Sequence, residues 1–168
     1  MQNYKQTDNR WADIPCCGST MFNSGCGPTA IADLLDLEPT IVNDWLTSHE
    51  GYCNGTGTYW NAIPRAFAAF GHSCVMLNEA SLYGTSESPV FEQFLNHIHS
   101  GHTGILLMGN GYWTKTAGHF IVIASYNEKT GELLIYDPDS YKRDGWYTWD
   151  KFTGLIKVCY TVDIPLIS

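Results

Sequence analysis

The pattern of apolar residues changes at Gly101, and this change constrains the fold more than any other feature of the chain. Before Gly101, apolar residues recur at helical spacing in segments bounded by Pro or Gly. After it, β-prone apolar residues come in short runs that turn-forming residues separate. Helices followed by strands indicate an α+β fold, in which an N-terminal helical layer packs on a C-terminal antiparallel sheet.

Pro, Gly and Ser residues set the predicted helix boundaries. The first clear helix begins at Cys26 and ends before Pro39, because Pro disfavours helix in the preceding residue. The second opens at Pro39 and stops at Gly51, and another starts at Pro89 with Ser88 as its N-cap. The other predicted elements are a helix over 63–70 and strands over 74–77, 105–108, 120–126, 133–136 and 157–162.

Length and composition indicate one globular domain. The 168 residues correspond to about one domain, and no repeat, low-complexity tract or linker interrupts them. With 44% hydrophobic residues, the chain can bury a sizeable core. We therefore expect a single domain over residues 1–168.

The charge balance narrows the set of partners. The formal net charge is -8 with only nine Lys and Arg residues, so a basic footprint for nucleic acid is not expected. No apolar run approaches the roughly 18 residues that span a bilayer, so we expect no membrane insertion. Oligomeric state is left open by the sequence.

The first ten residues are polar and contain no signal peptide. A mature secreted domain, a cytoplasmic protein and a protein released at cell lysis are each compatible with this start. Of these, we favour a secreted or cell-wall-associated location.

Six cysteines lie at positions 16, 17, 26, 53, 74 and 159, without a C-x-x-C pair. This spacing excludes a zinc ribbon. Adjacent cysteines such as Cys16 and Cys17 rarely bond each other, because the geometry is strained. We expect mostly free thiols.

The segment from Ser24 to Ala30 is the most informative for chemistry. Glycines on both sides leave the thiol of Cys26 uncrowded, and Pro28 suits a first helical turn. Unpaired backbone N–H groups at a helix start favour negative charge, and a thiolate is a strong nucleophile. The alternative is that Cys26 is a small buried residue at a tight junction.

His119 is the candidate base. It follows Gly118 and starts a predicted strand, whose hairpin partner ends at Asp137. Pairing across the turn Asn127–Gly131 makes the two residues near neighbours, so the carboxylate could orient the imidazole. A strand-end His and an Asp-Pro turn without a chemical role are the alternatives.

Four segments resemble, in order and spacing, the bacterial papain-like cysteine peptidases related to the bacteriocin-leader (double-glycine) peptidase domain. The segments are Tyr4–Ala12, Ser24–Ala30, Gly118–Val122 and Tyr136–Pro138. The resemblance spans nearly the whole chain and implies a papain-like fold.

The resemblance also implies roles for four residues. Cys26 would be the nucleophile, His119 the general base and then acid, and Asp137 the residue that orients His119. Gln6 would be the oxyanion donor, although its separation from Cys26 by 20 positions is longer than in the leader peptidases. Alternatively, Gln6 only caps a turn of an N-terminal arm.

Three histidines, His97, His99 and His102, are close enough in sequence to ligate a metal. A polar helix end, where the helix dipole favours histidine, is the more ordinary explanation. We therefore predict no metal site, and the proposed chemistry requires no cofactor.

Aromatic residues could line a substrate groove. Tyr112 and Trp113 lie on the glycine-rich loop Gly109–Gly118 before His119, and we expect them, with Gly25 and Gly118, to bind substrate. We treat a second aromatic group as mostly structural: Tyr141, Trp146, Tyr147 and Trp149.

These features predict a cysteine peptidase that hydrolyses an amide bond of a peptide or protein through a thioester. A cell-wall peptidase or amidase of the lysin type is a related alternative. A non-catalytic peptide-binding domain on the same fold is a second. Acyl transfer to an amine would use the same residues.

Overall fold

A computed structural model describes residues 1–116 and 118–168 of the chain. Its helices are α1 Met21–Ser24, α2 Cys26–Leu35, α3 Pro39–Ser48, α4 Ala62–Ala69 and α5 Pro89–His99. Its strands are β1 Pro15–Cys16, β2 Ser19–Thr20, β3 Tyr52–Cys53, β4 Gly57–Thr58, β5 Cys74–Met76, β6 His102–Met108, β7 His119–Asn127, β8 Glu132–Tyr136, β9 Gly145–Tyr147 and β10 Ile156–Pro165. Short 3₁₀ turns lie at Tyr141–Arg143 and Trp149–Lys151.

The main sheet has six antiparallel strands in the order β5-β10-β6-β7-β8-β9. Every strand expected from the sequence is part of it. The α+β class and the helix starts at Cys26, Pro39 and Pro89 are confirmed. As expected, Ser88 caps α5, its hydroxyl accepting the backbone N–H of Val90 at 3.2 Å.

Both faces of the sheet are buried, which explains the nearly continuous apolar runs of its central strands. Leu107, Phe120 and Tyr160 pack with α2, α3 and α4 on one face. Alternate residues such as Leu106 and Ile121 pack with α5 on the other face. The predicted helical layer is therefore formed by α2–α4, and α5 adds a layer that the sequence pattern did not separate from it.

The β7–β8 hairpin forms as the sequence predicts. The N–H of Gly131 donates to the carbonyl of Asn127 at 2.8 Å, and Gly131 adopts a φ of 74° that suits glycine. Val122 pairs with Tyr136, and a register shift lies between Ile123 and Ser125. The end of β8 thereby returns to the beginning of β7.

Two short hairpins beside α2, β1–β2 and β3–β4, were not expected from the sequence. Cys17 and Gly18 form the first turn with φ of 54° and 76°, as a tight two-residue hairpin turn requires. The sulfur of Cys17 accepts the N–H of Gly57 at 3.0 Å and lies 3.0 Å from the carbonyl of Cys53. The two hairpins therefore brace each other, and all six cysteines are free thiols.

Within residues 1–116 and 118–168, every helix is too short or too polar to span a lipid bilayer.

Candidate active site

Cys26 is the first residue of α2, and its side chain is partly exposed. A β-carbon at Gly25 would lie 2.4 Å from the carbonyl oxygen of Met21, and one at Gly27 would lie 2.1 Å from Oγ1 of Thr58. Both distances are far below van der Waals contact. The two glycines therefore allow α1 and β4 to close around the helix start without covering the thiol.

His119 begins β7, opposite Met108 on β6, and its side chain is buried. Its Nε2 lies 2.6 Å from Oδ1 of Asp137. Cys26 also interacts with the imidazole, since its side chain is one of the groups that raise the pKa of His119. Because Asp137 occupies Nε2, Nδ1 is the nitrogen that remains for the thiol. The structure thus brings together three residues that the sequence singled out.

Electrostatics favour the charged form of this imidazole. Burial by itself lowers the pKa of His119, but hydrogen bonds to Asp137 and Cys26, together with their charges, raise it to about 10. Burial raises the pKa of Asp137, yet the interactions with His119 and Arg143 outweigh it and leave this pKa below the ordinary value. The site can therefore hold an imidazolium between a carboxylate and the Cys26 side chain.

Asp137 is fully buried and is held from several directions. Its Oδ2 accepts from Nε of Arg143, and its Oδ1 also accepts the backbone N–H of Asp139 at 2.8 Å. The N–H of Asp137 donates to Oδ1 of Asp144 at 2.7 Å. Sequence reasoning missed Arg143 and Asp144. Their closeness to the Asp-Pro turn is the signal that could have suggested them.

Gln6 lies between the Asp137 loop and the segment that leads into Cys26. Its backbone N–H donates to the carbonyl of Pro138 at 2.7 Å, and its side-chain Nε2 donates to the carbonyl of Phe22, also at 2.7 Å. The side chain is buried, and among the described residues its Oε1 has no hydrogen-bond partner. One hydrogen of Nε2 is used by Phe22, which leaves the other for a ligand.

Lys5 fixes the N-terminal arm in place. Its Nζ lies 3.0 Å from Oδ1 of Asp144 and also donates to the side chain of Asn3. The side chain is 3% exposed, so this ion pair is shielded from solvent. The carbonyl of Lys5 accepts the indole N–H of Trp11 at 2.8 Å. The arm is therefore part of the site rather than a loose terminus.

Asp33 on α2 makes a further attachment for the arm. Its Oδ1 accepts the backbone N–H of Tyr4 at 2.6 Å, whereas Oδ2 is buried and unpaired within the part of the chain described. Burial raises the pKa of Asp33 well above its ordinary value. Nothing in the sequence distinguished this residue from the exposed acidic residues.

The predicted substrate-binding residues separate into two groups. Gly118 lines a cavity of about 510 Å³ that Cys26 also lines, and Gly25 directly precedes Cys26. Tyr112 is exposed, but it lies apart from this cavity, against Tyr147 and Lys151.

Trp113 does not lie on a groove. Its ring is fully buried and stacks on Phe152 with centroids 5.2 Å apart, so it contributes to the core and offers no surface to a substrate. The loop 109–118 that carries it includes residue 117, which lies outside the described residues.

The three clustered histidines have different partners. His97 Nε2 lies 3.1 and 3.0 Å from two backbone carbonyl oxygens, the His99 ring packs at a tilt against Tyr126, and His102 lies 3.5 Å from a carboxylate oxygen of Asp163. Among the described residues, no group of three or more His, Cys, Asp or Glu side chains is arranged to hold a metal ion.

Residues 1–162 match the sequence model described as the Peptidase_C39 like family. The chain belongs to this family. No curated protein is significantly similar to this family member in sequence.

Solved structures show the same fold for this Peptidase_C39 like protein. The peptidase domain of Streptococcus ComA, a bi-functional ABC transporter involved in quorum sensing, matches with a TM-score of 0.60 and 15% identity, over 85% of this chain and 93% of that one. The peptidase domain of Streptococcus mutans ComA matches with a TM-score of 0.56 and 16% identity, over 96% and 98%.

A C39-like protein from Bacillus anthracis matches with a TM-score of 0.55 and 14% identity, over 96% of this chain and 94% of that one. These similarities confirm the papain-like α+β fold that the sequence predicted for this member of the Peptidase_C39 like family.

Proposed function

We propose that this chain is a cysteine peptidase that hydrolyses a peptide bond through a thioester on Cys26. The observation that carries the proposal is the buried imidazole of His119, which lies 2.6 Å from the Asp137 carboxylate and interacts electrostatically with Cys26. Membership of the Peptidase_C39 like family supports the same class of reaction. A protein that only binds peptides would need no such arrangement.

The first half of the reaction forms the thioester. The Cys26 thiolate attacks the carbonyl carbon of the peptide bond, and negative charge develops on the carbonyl oxygen. The free N–H of the Gln6 side-chain amide, together with backbone N–H groups at the start of α2, would stabilise that charge. The imidazolium of His119 then gives its proton to the leaving nitrogen, and the carbon–nitrogen bond breaks.

The second half regenerates the enzyme. Neutral His119 takes a proton from a water molecule, and the resulting hydroxide attacks the thioester carbon. The carbon–sulfur bond breaks, the carboxylic product leaves, and the thiolate and imidazolium are restored. No metal or organic cofactor is required by these steps.

Asp137 acts through His119. Its carboxylate accepts from Nε2 and so keeps Nδ1 directed at the thiol and the substrate. Arg143 and the N–H of Asp139 hold the carboxylate in its orientation. Gly118 lines the cavity beside the thiol, in which the peptide would lie, whereas Gly25 is buried against the carbonyl oxygen of Met21.

Hydrolysis can be tested with a library of peptides from a digested proteome, in which new termini are detected by mass spectrometry. The wild-type protein should generate new termini that incorporate ¹⁸O from labelled water, and Cys26→Ala should generate none. Cys74→Ala is the matched control, because Cys74 is a free cysteine that does not line the cavity beside Cys26. Cleavage by Cys26→Ala at the wild-type rate would contradict the proposal, as would a wild-type protein that cleaves no peptide.

A further inference from the structure

The cavity beside Cys26 has a volume of about 510 Å³, which falls in the range of about 300–1,000 Å³ typical of ligand pockets. The start of α2, the β3–β4 hairpin and strands β5, β6, β7 and β10 all contribute to its wall. Residues that define its shape include Cys26, Thr58, Trp60, Met76, Leu107 and Phe120.

The chemistry of the wall suits an apolar group. Trp60, Met76, Leu107 and Phe120 present aromatic and aliphatic surface, whereas Thr58, Asn61 and Lys157 form a polar part of the wall. The positive charge of Lys157, whose Nζ lies 5.9 Å from the ring centroid of Trp60, also repels a basic side chain. None of the described residues that line the cavity is an aspartate or glutamate. A basic side chain placed there would lose its hydration without gaining an opposite charge, so the cavity disfavours lysine and arginine.

The cavity lies directly beside the proposed reacting groups. Gly118 and Phe120, which flank His119, both line it, and so does Cys26 itself. The two residues that hold Gln6, Phe22 through its side-chain amide and Pro138 through its backbone N–H, are not among the described lining residues of the cavity. A group in the cavity would therefore lie beside the thiol but away from the side on which Gln6 meets the carbonyl oxygen.

We propose that this cavity is the specificity pocket of the peptidase and binds one large apolar side chain, aromatic or branched aliphatic, next to the cleaved bond. The inference rests on the proposed function and specifies its substrate class. A cleavage site composed only of glycines would leave the cavity empty and would lose the burial of apolar surface that it offers.

Peptidyl chloromethyl ketones test the pocket without a known substrate. The Cys26 sulfur displaces chloride from the methylene carbon, and the covalent adduct is measured by peptide mass mapping. Three blocked dipeptide probes, Gly-Gly, Gly-Phe and Phe-Gly, differ only in the side chain placed near the reacting carbon. We expect one of the two Phe probes to label Cys26 at least about ten-fold faster than Gly-Gly, as burial of one large side chain provides.

Two variants locate the effect in the cavity. Met76→Trp fills it and should abolish the preference for Phe, whereas Val75→Trp should leave the preference intact, because Val75 is exposed and does not line the cavity. Thr56→Trp, at an exposed position of the rim, is a second filling variant whose folding is not affected by core packing. The rate with each peptidyl probe is divided by the iodoacetamide rate of the same variant, so that a change in the reactivity of the Cys26 thiol itself does not enter the comparison.

The outcomes separate the pocket from the chemistry. The proposal is supported if the wild type and Val75→Trp prefer a Phe probe and the two filling variants, Met76→Trp and Thr56→Trp, do not. Equal rates for the three probes, or fastest labelling by Gly-Gly, would overturn the assignment of the cavity as a specificity pocket. In that case, iodoacetamide labelling of Cys26 that depends on His119 would still support the proposed peptidase. If no reagent labels Cys26 in a manner that depends on His119, the proposed function fails, and the pocket proposal fails with it.

Discussion

The carboxylate of Asp137 lies 2.6 Å from Nε2 of His119, although 18 positions and a complete hairpin separate the two residues. The β7–β8 turn brings them together, and Arg143 holds the carboxylate from its other side. The β7–β8 hairpin therefore produces the pairing of His119 with Asp137. The proposed reaction also requires Cys26, which lies at the start of α2 in the helical layer.

Replacing Asp137 by Asn tests the orientation of the imidazole. An amide cannot accept from Nε2 as strongly, and it removes the charge that stabilises the imidazolium. We expect turnover to fall by about 100-fold or more, while Cys26 stays accessible to alkylation. Unchanged peptide cleavage by Asp137→Asn would remove this residue from the mechanism.

Gln6→Ala removes the proposed oxyanion donor. Because the donor acts on charge that develops in the transition state, kcat should fall by about 10²–10³-fold, with KM nearly unchanged. Steady-state kinetics on any peptide found in the library measures both constants. A rise in KM alone would instead indicate that Gln6 only holds the N-terminal arm.

Gly27→Ala tests the close approach of α2 and β4. The added carbon would meet Oγ1 of Thr58 at 2.1 Å, and we expect a loss of about 1–3 kcal/mol in the free energy of unfolding. Thr58→Gly removes the opposing atoms and should recover part of this loss when the two changes are combined. Strictly additive effects in urea unfolding would argue against the clash.

Stability should depend on pH through His119. Its pKa of about 10 in the folded protein lies above the value of about 6.5 for an unperturbed imidazole. Folding therefore strengthens proton binding, and this contribution is fully present below about pH 6.5 and is lost as the pH rises through about 10.

The pH effect can be isolated by comparing wild type with His119→Gln in urea unfolding across that range. The wild type should lose stability relative to His119→Gln as the pH rises. The free energy of unfolding of the wild type minus that of the variant should therefore decrease. A difference that stays constant with pH would contradict the raised pKa.

The local parts of the fold could be predicted because their signals are local. Asn127 and Gly131 specify the hairpin turn, and Pro28 within the glycine-flanked segment specifies the helix start at Cys26. Both features fix the position of a candidate catalytic side chain. The meeting of His119 and Asp137 followed from the same reasoning.

Other parts depend on contacts between distant segments and could not be read from the sequence. The ion pair of Lys5 with Asp144 joins residues 139 positions apart. The spacing of apolar residues shows that α5 has a buried face. It does not show which face of the sheet this helix covers. Trp113 was misplaced for a related reason, because an aromatic residue in a glycine-rich loop carries no sign of whether it is buried.

The most direct test of the account is the pH dependence of iodoacetamide alkylation, followed separately at each cysteine by peptide mass mapping. Burial raises the pKa of Cys16 to about 11 and that of Cys74 and Cys159 to about 12, so these thiols should react slowly and serve as internal references.

In the wild-type protein, we expect rapid alkylation of Cys26 well below the pH of about 8.5 at which ordinary thiols ionise, and loss of that reactivity in His119→Ala. Alkylation of Cys26 that is slow at such pH values, or that is unaffected by His119→Ala, would contradict an imidazole-activated nucleophile.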